Sequence, residues 1–235
     1  MANSITRHIP NTVTCLNLFS GCIACVMAFH GNYYWALGFI SLSAVLDFLD
    51  GLFARLLHAY SAIGKDLDSL ADVISFGLAP AVMVFSILGE VAYPVTFSIL
   101  SEYFPYLGFC IAVFSGLRLA KFNNDTRQST SFIGLPVPAN ALFWASLIVG
   151  MYNEILICKY SFLIILILAF IFSGLLVSEI PMFSLKFKNL KLKENKIQFL
   201  FLFICLLLLV FFGITGLAAC IVWYIVLSVL TRKKN

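Results

Sequence analysis

The chain has 235 residues, of which 62% are hydrophobic and only 11% charged, with a mean hydropathy of +1.01. A soluble domain carries about 25% charged residues, so a water-soluble body is excluded and an all-α polytopic membrane protein of one domain (1–235) is expected. The net charge of +4 is small; its placement matters more than its size, and no nucleic-acid partner is expected.

Residues 1–12 are polar enough to form an interfacial N-terminal segment, and Pro10 is suited to open a helix with Asn11 and Thr14 near its start. A spanning helix needs about 20 mostly apolar residues. The pattern predicts eight, over 13–29, 33–57, 66–89, 98–120, 135–153, 160–178, 197–212 and 214–231, with Gly213 and Gly216 breaking the last apolar run. Residues 13–178 are expected to form a six-helix catalytic core, and 197–231 two additional spans. The first apolar run leads into further spans rather than into a cleavage site and a soluble body, so no cleavable signal peptide is expected. The seven cysteines lie mainly in apolar runs, where membrane packing is their expected role.

Charge placement orients these spans. With the N-terminus in the cytosol, the cytosolic segments and adjoining helix ends collect Arg7, Arg55, Lys65, Arg118, Lys121, Arg127, Lys186, Lys188, Lys191, Lys193, Lys196, Arg232, Lys233 and Lys234, leaving only Lys159 outside. The outer loops carry Glu90, Glu102 and Glu154. This bias predicts both termini inside, which requires an even number of spans.

Residues 47–72 read DFLDGLFARLLHAYSAIGKDLDSLAD. Asp47 and Asp50 are three apart, and Asp68 and Asp72 four apart, so each pair shares a helix face. Folding the chain back near Ala59–Tyr60 sets Asp50 level with Asp68 and Asp47 level with Asp72. Four carboxylates then meet across two antiparallel helices. The like charges of such a cluster push its pKa values up unless a cation neutralises them, and an all-oxygen donor set points to Mg²⁺, Mn²⁺ or Ca²⁺. Gly51, Ala54 and Gly64 leave room for a ligand beside the acids, and Arg55 and Lys65 suit a phosphate. Metal-assisted chemistry on a phosphoryl compound is the expected reaction class; a cation pathway through the membrane is the alternative.

The spacing Asp47-x2-Asp50-Gly51-x2-Ala54-Arg55-x8-Gly64-x3-Asp68-x3-Asp72 resembles the signature of the CDP-alcohol phosphotransferase family at every fixed position. Three further stretches resemble its phosphatidylserine synthase branch: Pro10-Asn11-x2-Thr14-x2-Asn17, Arg118-Leu119-Ala120-Lys121-Phe122-Asn123, and SFIGLPVPANA at 131–141. Lys121 stands where that branch more often has arginine, which weakens bidentate binding. Asn17 has a second reading, as a polar residue bonding across helices.

The resemblance implies transfer of the phosphatidyl group from CDP-diacylglycerol to L-serine with release of CMP. It implies two divalent cations, Mg²⁺ or Mn²⁺, on Asp47, Asp50, Asp68 and Asp72, with Asp72 doubling as general base. Gly51, Ala54, Arg55 and Gly64 would bind the cytidine diphosphate, and Arg118, Lys121 and Asn123 the serine carboxylate or the phosphate. A homodimer in the cytoplasmic membrane of a prokaryote, among membrane lipids and with its site facing the cytosol, is expected. Other members of the family, acting on glycerol 3-phosphate, an inositol compound or an archaeal lipid donor, stay open.

Overall fold

The structure, a computed structural model, describes residues 8–125, 133–182 and 195–231. Arg7, Arg127, Lys186, Lys188, Lys191, Lys193, Arg232, Lys233 and Lys234, and residues 1–7 of the expected interfacial segment, lie outside them.

The described residues are helical apart from connections and one isolated bridge between Ile133 and Pro181. We number the main helices α1 (Ile9–Phe29), α2 (Tyr33–Leu56), α3 (Ala62–Glu90), α4 (Phe104–Asn124), α5 (Val137–Gly150), α6 (Ser161–Val177), α7 (Lys196–Phe212) and α8 (Thr215–Leu230). The first four are long and apolar enough to cross a membrane; the other four are shorter apolar helices. This is the architecture of a polytopic membrane protein. Side chains such as Phe203, Leu206, Val210 and Phe211 stand exposed along α7, a surface that suits lipid rather than water.

Several boundaries differ from the hydropathy reading. The fourth span begins at Phe104 rather than 98, because Val95–Leu100 forms a separate 3₁₀ segment and Pro105 opens the next helix. The fifth ends at Gly150, and Tyr152–Ile157 makes a short helix of its own. The last apolar run breaks at Gly213, whose φ of 56° is a left-handed value that favours glycine.

α3 is the central helix. From Ala79 to Leu88 nearly every side chain is buried, as expected of a helix apolar all round. Its middle, Val73–Leu78, is wound as a π-helix directly after Asp72. Such bulges re-aim side chains and recur at functional sites. α1 packs on both α2 and α3, whereas α2 and the first part of α3 make little contact with each other. Close approach of α1 to α3 depends on Gly21: a Cβ there would overlap Ser75. At the far end Glu90 accepts hydrogen bonds from the hydroxyls of Tyr33 (2.6 Å) and Tyr152 (2.7 Å), tying α2, α3 and the short helix together.

The segment before α5 is held by backbone bonds from Gly134 N to Ile180 O (2.9 Å) and from Leu135 N to Leu175 O (3.0 Å). Gly134 has φ +77°, and an added Cβ would lie 2.5 Å from the Leu176 carbonyl oxygen. Gly134→Ala is therefore expected to destabilise the protein by about 1–3 kcal/mol. Thermal unfolding in detergent measures this; an unchanged midpoint would show that the segment does not need the left-handed residue.

Candidate active site

Asp47 and Asp50 come from the last part of α2, and Asp68 and Asp72 from the first part of α3. The turn between them runs from Leu57 to Ser61. His58 takes φ 49° there, and Ser61 caps α3 by accepting a hydrogen bond from Gly64 N at 3.0 Å. One carboxylate oxygen from each of Asp47, Asp50 and Asp68 lies within 4.8 Å of the others. Oxygens bound to one divalent cation at 2.0–2.6 Å sit roughly 3–5 Å apart, so the triple fits a single hard cation. Asp72 lies outside this triple but within electrostatic range of all three acids and of Arg118.

The carboxylates meet across α2 and the first part of α3 as expected, although these two helices are not packed on each other. Because α2 and the start of α3 stand apart, α1 forms a third wall between them. Thr14 on α1 donates to Asp50 Oδ2 at 2.7 Å and orients that carboxylate. Asp68 Oδ1 and Asp72 Oδ1 are buried with no protein partner. Buried polar atoms are nearly always satisfied, and orphaned oxygens in an all-carboxylate cluster are what a resident cation would satisfy.

Toward the turn, the gap opens into a cavity of about 220 Å³ with Asp50 and Asp68 on one side. Gly51, Ala54 and Gly64 line it. Gly51 faces open space, whereas a Cβ at Gly64 would come 2.9 Å from Asn11 Oδ1. Arg55 does not line the cavity; its Nε donates back to Gly51 O at 2.9 Å. Pro10, Asn11 and Thr14 of α1, with Ala59, Tyr60 and Ser61 of the turn and Lys65 of α3, complete the lining. The signal for α1 was present in its sequence: Asn11, Thr14 and Asn17 repeat every third residue, a polar stripe in an otherwise apolar span.

The three residues expected from α4 separate. Arg118 is buried at 6% exposure, with its guanidinium carbon 4.9 Å from the centroid of the Phe122 ring, and its charge lies within electrostatic range of Asp72. Lys121 turns away from the acids, donating to Val177 O at 3.2 Å and pairing with Glu179 at 3.6 Å. Asn123 braces α4 against α3: its Nδ2 donates to Ser69 Oγ at 2.8 Å, and its carbonyl accepts from Lys65 Nζ at 3.3 Å.

A family profile described as CDP-alcohol phosphatidyltransferase matches residues 7–175. A CDP-diacylglycerol–serine O-phosphatidyltransferase from Bacillus subtilis is 33% identical over 167 residues, covering 68% of this chain and 87% of that protein. One from Helicobacter pylori is 34% identical over 139 residues, covering 57% of this chain and 54% of that protein. An archaetidylserine synthase from Methanothermobacter thermautotrophicus is 33% identical over 153 residues, covering 63% and 60% respectively. The profile takes in every acid of the cluster, together with α1 and Arg118.

Proposed function

Because the chain belongs to the CDP-alcohol phosphatidyltransferase family, we propose that it moves the phosphatidyl group of CDP-diacylglycerol onto L-serine, giving phosphatidylserine and CMP. The observation that carries this reading is the convergence of Asp47, Asp50 and Asp68 beside a cavity lined by small residues. Membrane-embedded carboxylates are costly and mark function. A cavity of about 220 Å³ bordered by Gly51, Ala54 and Gly64 has room for a cytosine or ribose group, with the diphosphate directed at the acids.

Asp47, Asp50 and Asp68, with Asp72 shared, would hold one or two Mg²⁺ or Mn²⁺ ions, which supply charge neutralisation on the diphosphate. The chain's own residues do the rest. Thr14 fixes Asp50. Gly51, Ala54 and Gly64 admit the nucleotide, and Lys65 meets the phosphates from the mouth. Asp72 takes the proton of the serine hydroxyl. The freed oxygen forms a bond to the phosphorus that bears diacylglycerol, the bond from that phosphorus to the CMP oxygen breaks, and CMP leaves. Arg118, within electrostatic range of Asp72, meets the serine carboxylate. Lys121 and Asn123 hold the end of α4 in position.

The protein is further read as crossing a prokaryotic cytoplasmic membrane eight times, both termini in the cytosol and the site at the cytosolic face. The distribution of lysine and arginine supports this. A homodimer rests on the family resemblance.

In an acceptor panel, CMP release by purified protein with Mn²⁺ is expected to depend on L-serine and not on glycerol 3-phosphate or myo-inositol 1-phosphate, and to stop with chelator. Release with another alcohol would keep the acid cluster and overturn the serine assignment. The archaeal relative's name places a serine head on another lipid, so the same panel with an archaeal CDP-lipid tests the donor.

A further inference from the structure

One buried group near the acids has no part in the scheme above. Asn17 on α1 is 0% exposed, and both its Oδ1 and its Nδ2 lack a protein partner. A fully buried carboxamide with neither atom bonded is costly. Its backbone is held firmly: the Asn17 carbonyl accepts from Ser43 Oγ of α2 at 3.2 Å and from Ser75 Oγ of α3 at 3.1 Å. Ser43 lies one helical turn from Asp47, and Ser75 three residues beyond Asp72. Helix register gives the same placement. α1 and α2 are joined by a short turn and run antiparallel, with Thr14 bonded to Asp50, so three residues further along α1 Asn17 is level with Asp47. A Cα–Cβ bond tilts toward its helix N-terminus. The Asn17 side chain therefore leans back from the Ser43–Ser75 level to the level of Asp47 and Asp72 along the bundle. Arg118 of α4 lies within electrostatic range of Asp72.

Resting on the proposed reaction, we infer that Asn17 is a specificity-determining residue that reads the amino-acid head of the acceptor alcohol. A carboxamide offers one acceptor and two donors at a single position. Oδ1 accepts from an α-ammonium, which the surrounding carboxylates also attract, and Nδ2 donates to an α-carboxylate shared with Arg118. An acceptor lacking either group leaves one carboxamide atom orphaned, and sites built this way reject such analogues strongly. Asn17 so placed holds the hydroxyl against Asp72 and exchanges no proton itself.

The test compares the wild type with Asn17→Leu, which keeps the size and removes all hydrogen bonding. Three acceptor probes are used with CDP-diacylglycerol: L-serine, ethanolamine (no carboxylate) and 3-hydroxypropionate (no ammonium). Asn17→Leu is expected to raise KM for L-serine about 10- to 100-fold, to leave KM for CDP-diacylglycerol nearly unchanged, and to shrink the preference for serine over both analogues by a similar factor. Asn17→Ala, with CMP affinity as the measure of an intact site, covers the case in which leucine prevents folding. A parallel rise in both KM values, or an unchanged preference in a variant that binds CMP normally, overturns the inference while leaving the reaction standing. If the wild type releases no CMP with serine, the reaction itself fails, and the inference with it.

Discussion

Asp72→Asn is expected to lower CMP release about 10²- to 10⁴-fold, the usual contribution of a positioned general base. Asparagine has nearly the same shape and leaves the packing of a residue only 8% exposed intact, but it cannot take a proton. Asp72 lies outside the compact triple of Asp47, Asp50 and Asp68, and within electrostatic range of Arg118. In the proposed reaction it is the acid that receives the proton. Affinity for CMP in the presence of Mn²⁺ should stay within a factor of about 3, under 1 kcal/mol. Initial rates of CMP release and calorimetric titration with CMP measure the two quantities. Turnover near the wild-type level would remove Asp72 as the base; loss of CMP binding would show that its main part is in holding the cation or the nucleotide rather than in taking the proton.

Asp68→Asn should have a comparable effect through a different cause. Asp68 contributes to the triple that closes within 4.8 Å, and its Oδ1 is buried without a partner. Removing its charge takes one anionic oxygen from a three-carboxylate set. Residues that merely orient ligands change metal affinity 10- to 100-fold, so loss of a ligand is expected to weaken Mn²⁺ binding by at least about 100-fold. Electron paramagnetic resonance of free Mn²⁺ reads this without turnover. CMP release should fall in parallel and recover partly at high Mn²⁺. Unchanged Mn²⁺ binding would show that the three carboxylates do not form the cation site.

Much of the site was legible because its defining relations are short in sequence. Spacings of three and four put carboxylates on one helix face, and a connection of a few residues forces the two helices back toward each other. The relations that were not legible involve elements distant in the chain. Lys121, three residues from Arg118, looked like its partner at the acids, yet it bonds at the end of α6. Three residues along a helix rotate a side chain by about 300°, and which of the two directions points at the acids depends on where α6 packs.

By itself the sequence determined that the chain is a membrane protein, that Asp47, Asp50, Asp68 and Asp72 gather within residues 47–72, and that the donor atoms they offer a cation are carboxylate oxygens. Hydropathy and i, i+3/i+4 spacing are local quantities, and no packing alternative changes them. Only the tertiary structure decided that α2 and the start of α3 stand apart with α1 as a third wall, that Thr14 orients Asp50, that a π-turn follows Asp72, and that Arg118 rather than Lys121 faces the acids. Each of these depends on the distance between helices that are not neighbours in the local pattern. That distance is set by small-residue contacts such as Gly21 against Ser75 and by the fit of the whole bundle.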